Sequence, residues 1–121
     1  MAEKKVIVAT NSPFMYAMMK RLLQEEGFNL KYVKTGYDLL KAYHELKPDL
    51  VLVDTQLEDV SGLDAIKMLL EQDSNAKVVA VSEKKDVDTI VQAIKAGAED
   101  FIAFPITKED LKTKIYRILA E

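Results

Sequence analysis

Short β-branched runs recur five times along this chain, and each is followed by a stretch patterned for a helix. The candidate strands are Val6–Ala9, "NLKYV" at 29–33, "DLVLVD" at 49–54, "AKVVAVS" at 76–82 and "DFIAF" at 100–104. The third and fourth are almost wholly apolar, as parallel strands covered on both faces should be. "NLKYV" alternates weakly and fits an outer strand. Between them, Ser12 then Pro13 reads as an N-cap followed by proline at the first helical position. That helix is expected to run to about Glu26, where Gly27 stops it, with Met15, Met18, Met19, Leu22 and Leu23 on one face. "GYDLLKAYHEL" is a second helix ended by Pro48, and "GLDAIKMLLEQ" a third. "DVDTIVQAIKAG" is a fourth, capped by Asp86 and ended by Gly97. "TKEDLKTKIYRILAE" is the last, and its Thr107-x-x-Asp110 start resembles a capping box. Such alternation predicts a parallel sheet with helices on both faces. Sheets of this kind bind ligands beyond the carboxyl ends of their strands. The segments after Ala9, Asp54, Ser82 and Phe104 should therefore surround one pocket.

A length of 121 residues suits one core, and no stretch remains for a second domain, so one domain over 1–121 is expected. The absence of cysteine excludes disulfides and thiolate metal sites. No apolar core follows "MAEKK" and no apolar run is long enough to span a bilayer, so a cytoplasmic protein with no membrane partner is expected. A formal charge of −3 gives no general attraction to nucleic acid.

Three stretches carry a resemblance: "PDLVLVDTQLEDVSGLD" (Pro48–Asp64), "VVAVSEKKD" (Val78–Asp86) and "AIKAGAEDFIAFPIT" (Ala93–Thr107). With their spacing, they make the whole chain similar to the receiver domain of bacterial two-component response regulators, of the chemotaxis-regulator type. The resemblance implies a flavodoxin-like, doubly wound sheet of five parallel strands in order 2-1-3-4-5 with five helices. It implies that Asp54 stands where a histidine kinase's phosphoryl group is accepted. Two acidic residues after the first strand normally help to hold magnesium, and Thr10 and Asn11 stand there. Ser82 fits the hydroxyl that contacts the phosphoryl group. Phe104, before Pro105, replaces the lysine that pairs with that group, and Phe101 occupies the aromatic position that reports activation. The family's lysine–proline bond is cis, whereas X–Pro frequencies alone favour a trans Phe104–Pro105 bond.

Magnesium prefers anionic oxygen ligands and sheds its water reluctantly. At ~4 Å and an effective dielectric of ~20, each carboxylate contributes roughly 4 kcal/mol of gross attraction. Asn11, Asp54 and the Gln56 carbonyl are the remaining candidate ligands, so weak magnesium binding at most is expected, and no other cofactor. Phe104 removes the fixed cation, because an aromatic ring makes no charge-assisted hydrogen bond to phosphate. The expected function is an atypical receiver acting through a protein partner, a histidine kinase or downstream effector, with weak or no phosphorylation. It is not an enzyme beyond residual autophosphotransfer to Asp54. The competing readings are a conventional magnesium-dependent phosphoacceptor and a small-ligand sensor using the altered pocket.

"ATNSPF" has no glycine to cradle a phosphate, which argues against a flavin site. Phe14 and Tyr16 are placed near Phe104, giving three aromatics at the pocket mouth, a collapsed pocket or a protein-binding patch. Glu58 and Asp59 read as solvated loop charges, and His44 as an exposed side chain. Lys108, Lys112, Lys114 and Arg117 read as a solvated face of the last helix. The resemblance makes the fourth helix, fifth strand and last helix a partner or homodimer face, in which Asp100 and Arg117 could take part.

Overall fold

The structure is a computed structural model that describes residues 3–84 and 86–121. Met1 and Ala2 of the leading "MAEKK", and Lys85 of "VVAVSEKKD", lie outside the described residues. The elements are β1 (Lys5–Ala9), α1 (Pro13–Gln24), β2 (Asn29–Val33), α2 (Gly36–Leu46), β3 (Leu50–Asp54), α3 (Gly62–Gln72), β4 (Val78–Ser82), α4 (Val87–Ala96), β5 (Asp100–Ala103) and α5 (Lys108–Leu119). All strand pairs are parallel and the order is β2-β1-β3-β4-β5, the flavodoxin-like arrangement expected.

Strand alternation divides the core in two. Ile7, Val51, Val53, Val78 and Ala80 face Leu39, Ile66, Leu69 and Ala93 of α2, α3 and α4. Val6, Val8, Leu52 and Val79 face Met15, Met19, Leu23, Leu111 and Ile115 of α1 and α5. Every residue of β3 and β4 is buried, which is why those two runs are apolar almost throughout. The expected caps form: Ser12 Oγ accepts the Met15 N–H, Asp86 the Thr89 N–H and Thr107 the Asp110 N–H.

Some boundaries shift. Helix α1 stops at Gln24, and Glu26 and Gly27 close a turn by donating to Leu23 and Gln24 carbonyls at 3.1 and 3.0 Å. Phe104 lies just past β5, though its N–H still donates to the Ser82 carbonyl at 2.9 Å. The Phe104–Pro105 bond is cis, a correction to the frequency-based expectation, which averages over sites and carries no local context. The α5 charges are not simply solvated: Lys108 pairs with Glu25, Lys112 with Glu26 at 3.5 Å, and Lys114 and Arg117 both with Asp100, at 3.2 and 2.5 Å. Asp100 and Arg117 are thus joined within the chain.

At the end of the sheet opposite the strand carboxyl ends, the Tyr43 hydroxyl donates to Asp73 Oδ2 at 2.7 Å and ties α2 to α3. Burial, then that bond to an anion, push the Tyr43 phenol up to about 12. A phenol raised in the folded state contributes stability that is complete below its unfolded value near 10 and is lost as pH rises toward 12. Tyr43→Phe is expected to cost about 1 kcal/mol at neutral pH. Denaturant titrations across that alkaline window should show a flatter stability profile for the variant than for the wild type.

Candidate functional site

The carboxyl ends of β1, β3 and β4 converge, as a parallel sheet requires, and bring Thr10, Asp54 and Ser82 together. Asp54 closes β3 and is 7% exposed, while Thr10 is fully buried. The Thr10 hydroxyl donates to Asp54 Oδ2 at 2.6 Å and accepts the Ser12 N–H at 3.0 Å. The other carboxylate oxygen, Oδ1, accepts the Gln56 N–H at 3.0 Å. Both oxygens of Asp54 are therefore engaged by uncharged donors from the chain itself. Burial raises the Asp54 carboxyl above its usual range; the Thr10 and Gln56 bonds oppose that rise and the Glu83 charge adds to it.

Ser82 is buried at the end of β4, and its Oγ accepts the Lys84 N–H at 3.0 Å and the Thr55 hydroxyl at 3.1 Å. A cavity of about 250 Å³ opens here, lined by Ser12, Met15, Asp54, Gln56, Ser82, Glu83 and Lys84. Asp54, Gln56 and Ser82 of the expected site line it. Glu83 and Lys84 were not singled out in the sequence, although they follow Ser82 directly in a strand-end loop.

The aromatic mouth does not form. Phe104 is 6% exposed and packs into the core under α1 and α5, because burial of a bare ring outweighs any reason to stay at the rim. Tyr16 stacks on Tyr32 of β2 with centroids 4.1 Å apart, and Phe14 points into solvent at 69% exposure. Phe101 is buried on the opposite face of the sheet, against the α2, α3 and α4 layer. Pro105 and Asn11 are exposed. His44 is exposed, as expected.

Asp59 is no free loop charge. Its carboxylate accepts N–H groups from Gly36 at 2.7 Å, Tyr37 at 3.1 Å and Val60 at 2.8 Å, which fastens the β3–α3 loop to the start of α2. Burial alone would raise this carboxyl, but the three backbone bonds prevail and hold it below the usual range.

The donor set of the cavity is the Asp54 carboxylate, both oxygens of which already accept hydrogen bonds, the Glu83 carboxylate on its wall, and neutral oxygens. Among the described residues no group of three or more His, Cys, Asp or Glu is placed to hold a metal. Magnesium keeps several waters and is commonly held by one or two carboxylates, and here the Asp54 carboxylate already accepts a hydrogen bond on each oxygen.

A family model described as the response regulator receiver domain matches residues 6–116. The chemotaxis protein CheY of Thermotoga maritima is 36% identical over 103 residues, covering 84% of this chain and 86% of that protein. The DNA-binding response regulator MtrA of Mycolicibacterium smegmatis is 30% identical over 112 residues, 93% of this chain and 49% of that protein. Among solved structures, a response regulator from Thermotoga maritima superposes with a TM-score of 0.89 at 28% identity, covering 99% of this chain and 100% of that one. Among the described residues no helix is long and apolar enough to cross a membrane.

Proposed function

We propose a function on one premise: this chain belongs to the response regulator receiver domain family, modules of two-component signalling. Within that family it is an atypical receiver that acts by protein–protein contact, with weak or no phosphorylation of Asp54. The observation that carries the reading is the 2.6 Å bond from the buried Thr10 hydroxyl to Asp54 Oδ2. Phosphoryl transfer forms a bond from a carboxylate oxygen to phosphorus while the bond to the donor breaks, the electron pair leaving with the imidazole nitrogen of a phosphohistidine or the bridging oxygen of acetyl phosphate. The charge spread over the phosphoryl oxygens then needs cationic partners. At this site Thr10 supplies a neutral hydroxyl, the position before Pro105 supplies a phenyl ring turned into the core, and the cation on the cavity wall is Lys84, from the loop after β4. Magnesium is expected to bind weakly at Asp54, the Gln56 carbonyl and Asn11, for want of the two acidic ligands. The partner is a protein, a histidine kinase or an effector, engaged on the face of α4, β5 and α5.

The conventional phosphoacceptor reading keeps one observation in its favour, since Asp54 and Ser82 still share an open cavity. A ligand-sensing role has less support, because about 250 Å³ is small beside pockets for drug-sized molecules, roughly 300–1,000 Å³.

Incubation with acetyl phosphate and magnesium, read by intact mass, separates the two receiver readings. Little or no phosphoryl adduct is expected. Efficient labelling that disappears in Asp54→Ala would overturn the atypical reading.

A further inference from the structure

The first turn of α2 is closed by side chains from two separate parts of the chain. A helix leaves its leading backbone N–H groups without partners of their own. In α2 the Asp38 N–H goes to the Thr35 hydroxyl at 3.0 Å, the helix's own cap. The Gly36 and Tyr37 N–H groups go instead to the Asp59 carboxylate, to Oδ1 at 2.7 Å and Oδ2 at 3.1 Å. Asp59 lies in the β3–α3 loop, 23 and 22 positions further along the chain. An anion there also meets the positive end of the helix dipole. Gly36 is buried, so without the carboxylate its N–H is left unpaired. The approach is close: a Cβ at Gly36 would fall 2.5 Å from Val60 Cγ2.

The other end of the same loop holds the site. The Gln56 N–H donates to Asp54 Oδ1 at 3.0 Å. Gln56 forms an antiparallel bridge with Ser61, and the Gly62 N–H closes on the Thr55 carbonyl at 2.9 Å. Leu57 and Val60 pack against the core layer shared by α2, α3 and α4. Loop 55–61 is therefore a closed unit. It is attached to Asp54 through Gln56, to Ser82 through Thr55, and to α2 through Asp59. Packed, hydrogen-bonded units of this kind carry coupling between their attachments.

We propose that Asp59 is a positioning residue for Asp54: by fastening the β3–α3 loop to the first turn of α2, it keeps the Gln56 N–H on Asp54 Oδ1. Asp59 acts through the loop and not by touching Asp54. The first turn of α2 and the Asp54 carboxylate then respond together, and a contact that loosens the one frees an oxygen of the other. The inference deepens the atypical-receiver reading, in which the chain's own donors occupy both oxygens of Asp54.

Hydrogen exchange of the whole chain, read amide by amide by NMR, tests the link with a matched pair. Thr35→Ala removes the other cap of the same helix end and leaves the loop's tie intact. Asp59→Ala removes the tie. Both should lower global stability modestly. Asp59→Ala alone should speed exchange at the Gln56 amide, by about tenfold or more relative to Thr35→Ala, as expected for losing hydrogen bonds to a charged group. The Gln56 amide proton should also shift upfield in Asp59→Ala, as its bond to the carboxylate lengthens, and stay in place in Thr35→Ala. Asp59→Asn keeps one oxygen acceptor and should fall between, so it carries the test if Asp59→Ala folds poorly. Equal Gln56 exchange in the Asp59 and Thr35 variants, or a Gln56 shift unmoved in both Asp59 variants, would overturn the proposal and leave Asp59 as a helix cap only. No phosphodonor enters this measurement, so it and the labelling assay can fail independently.

Discussion

Replacing Thr10 and Asn11 together by aspartate is expected to create magnesium binding and, with it, phosphoryl transfer to Asp54. Thr10 is fully buried and its hydroxyl lies 2.6 Å from Asp54 Oδ2, so Thr10→Asp sets a second carboxylate against the first. Without metal that contact is repulsive, and a hydrogen bond to a carboxylate is lost as well. The metal-free double variant should be less stable than the wild type by about 3 kcal/mol, the scale of an uncompensated buried charge. Magnesium reverses the sign. Three carboxylates around one divalent cation restore the anionic ligand set it prefers, and binding at about 100 times the dissociation constant returns about 2.7 kcal/mol. Thermal unfolding with and without magnesium should therefore move by several degrees for the double variant and little for the wild type. Acetyl phosphate labelling should rise by about a hundredfold or more, the size of one removed electrostatic stabiliser in reverse. A folded double variant blind to magnesium, or a wild type that responds equally, would sink the account. Phe104→Lys is the less informative repair, because the ring is 6% exposed and a lysine there opens the core under α1 and α5.

What the sequence made legible was everything with a local cause. Strand and helix identity followed from periodicity, helix starts from Ser12, Asp86 and Thr107, and the meeting of Thr10, Asp54 and Ser82 from the geometry of parallel strands. Features set by partners distant in the chain were not legible. Asp59 looked like a loop charge because the backbone N–H groups it serves begin at Gly36, 23 residues earlier. The α5 cations looked solvated because Glu25, Glu26 and Asp100 reach them only after packing. Phe104 was placed at the pocket rim by its position after a strand, but which side of the sheet its ring takes depends on the core waiting under α1 and α5. Helix α4 shows the same limit from the other side. Its buried residues are Ala93 and Ala96 while Val87, Val91 and Ile94 are exposed, an orientation that packing against the rest of the chain decides.

Gly62→Ala should be among the most damaging single changes in the chain, although it adds one methyl group. Gly62 opens α3 directly against the end of β3, and its N–H donates to the Thr55 carbonyl at 2.9 Å. A Cβ at this position would lie 1.8 Å from the Asp54 carbonyl oxygen and 2.7 Å from both the Asp54 carbonyl carbon and Thr55 Cα. Every one of those atoms is backbone, so no side chain can rotate away. The start of α3 must separate from β3, and the strand end that presents Asp54 to Thr10 moves with it. The expected cost is about 3 kcal/mol, at the upper end of overpacking, or roughly 10 °C in melting temperature for a domain of this size. Gly27→Ala is the matched control. It has φ +83 but nothing within 4 Å of an added Cβ, so only the backbone penalty of about 1–2 kcal/mol applies. Denaturant unfolding of the pair measures both. A Gly62→Ala protein no less stable than Gly27→Ala would show that the β3–α3 junction yields, and that Asp54 is held by its side-chain bonds alone.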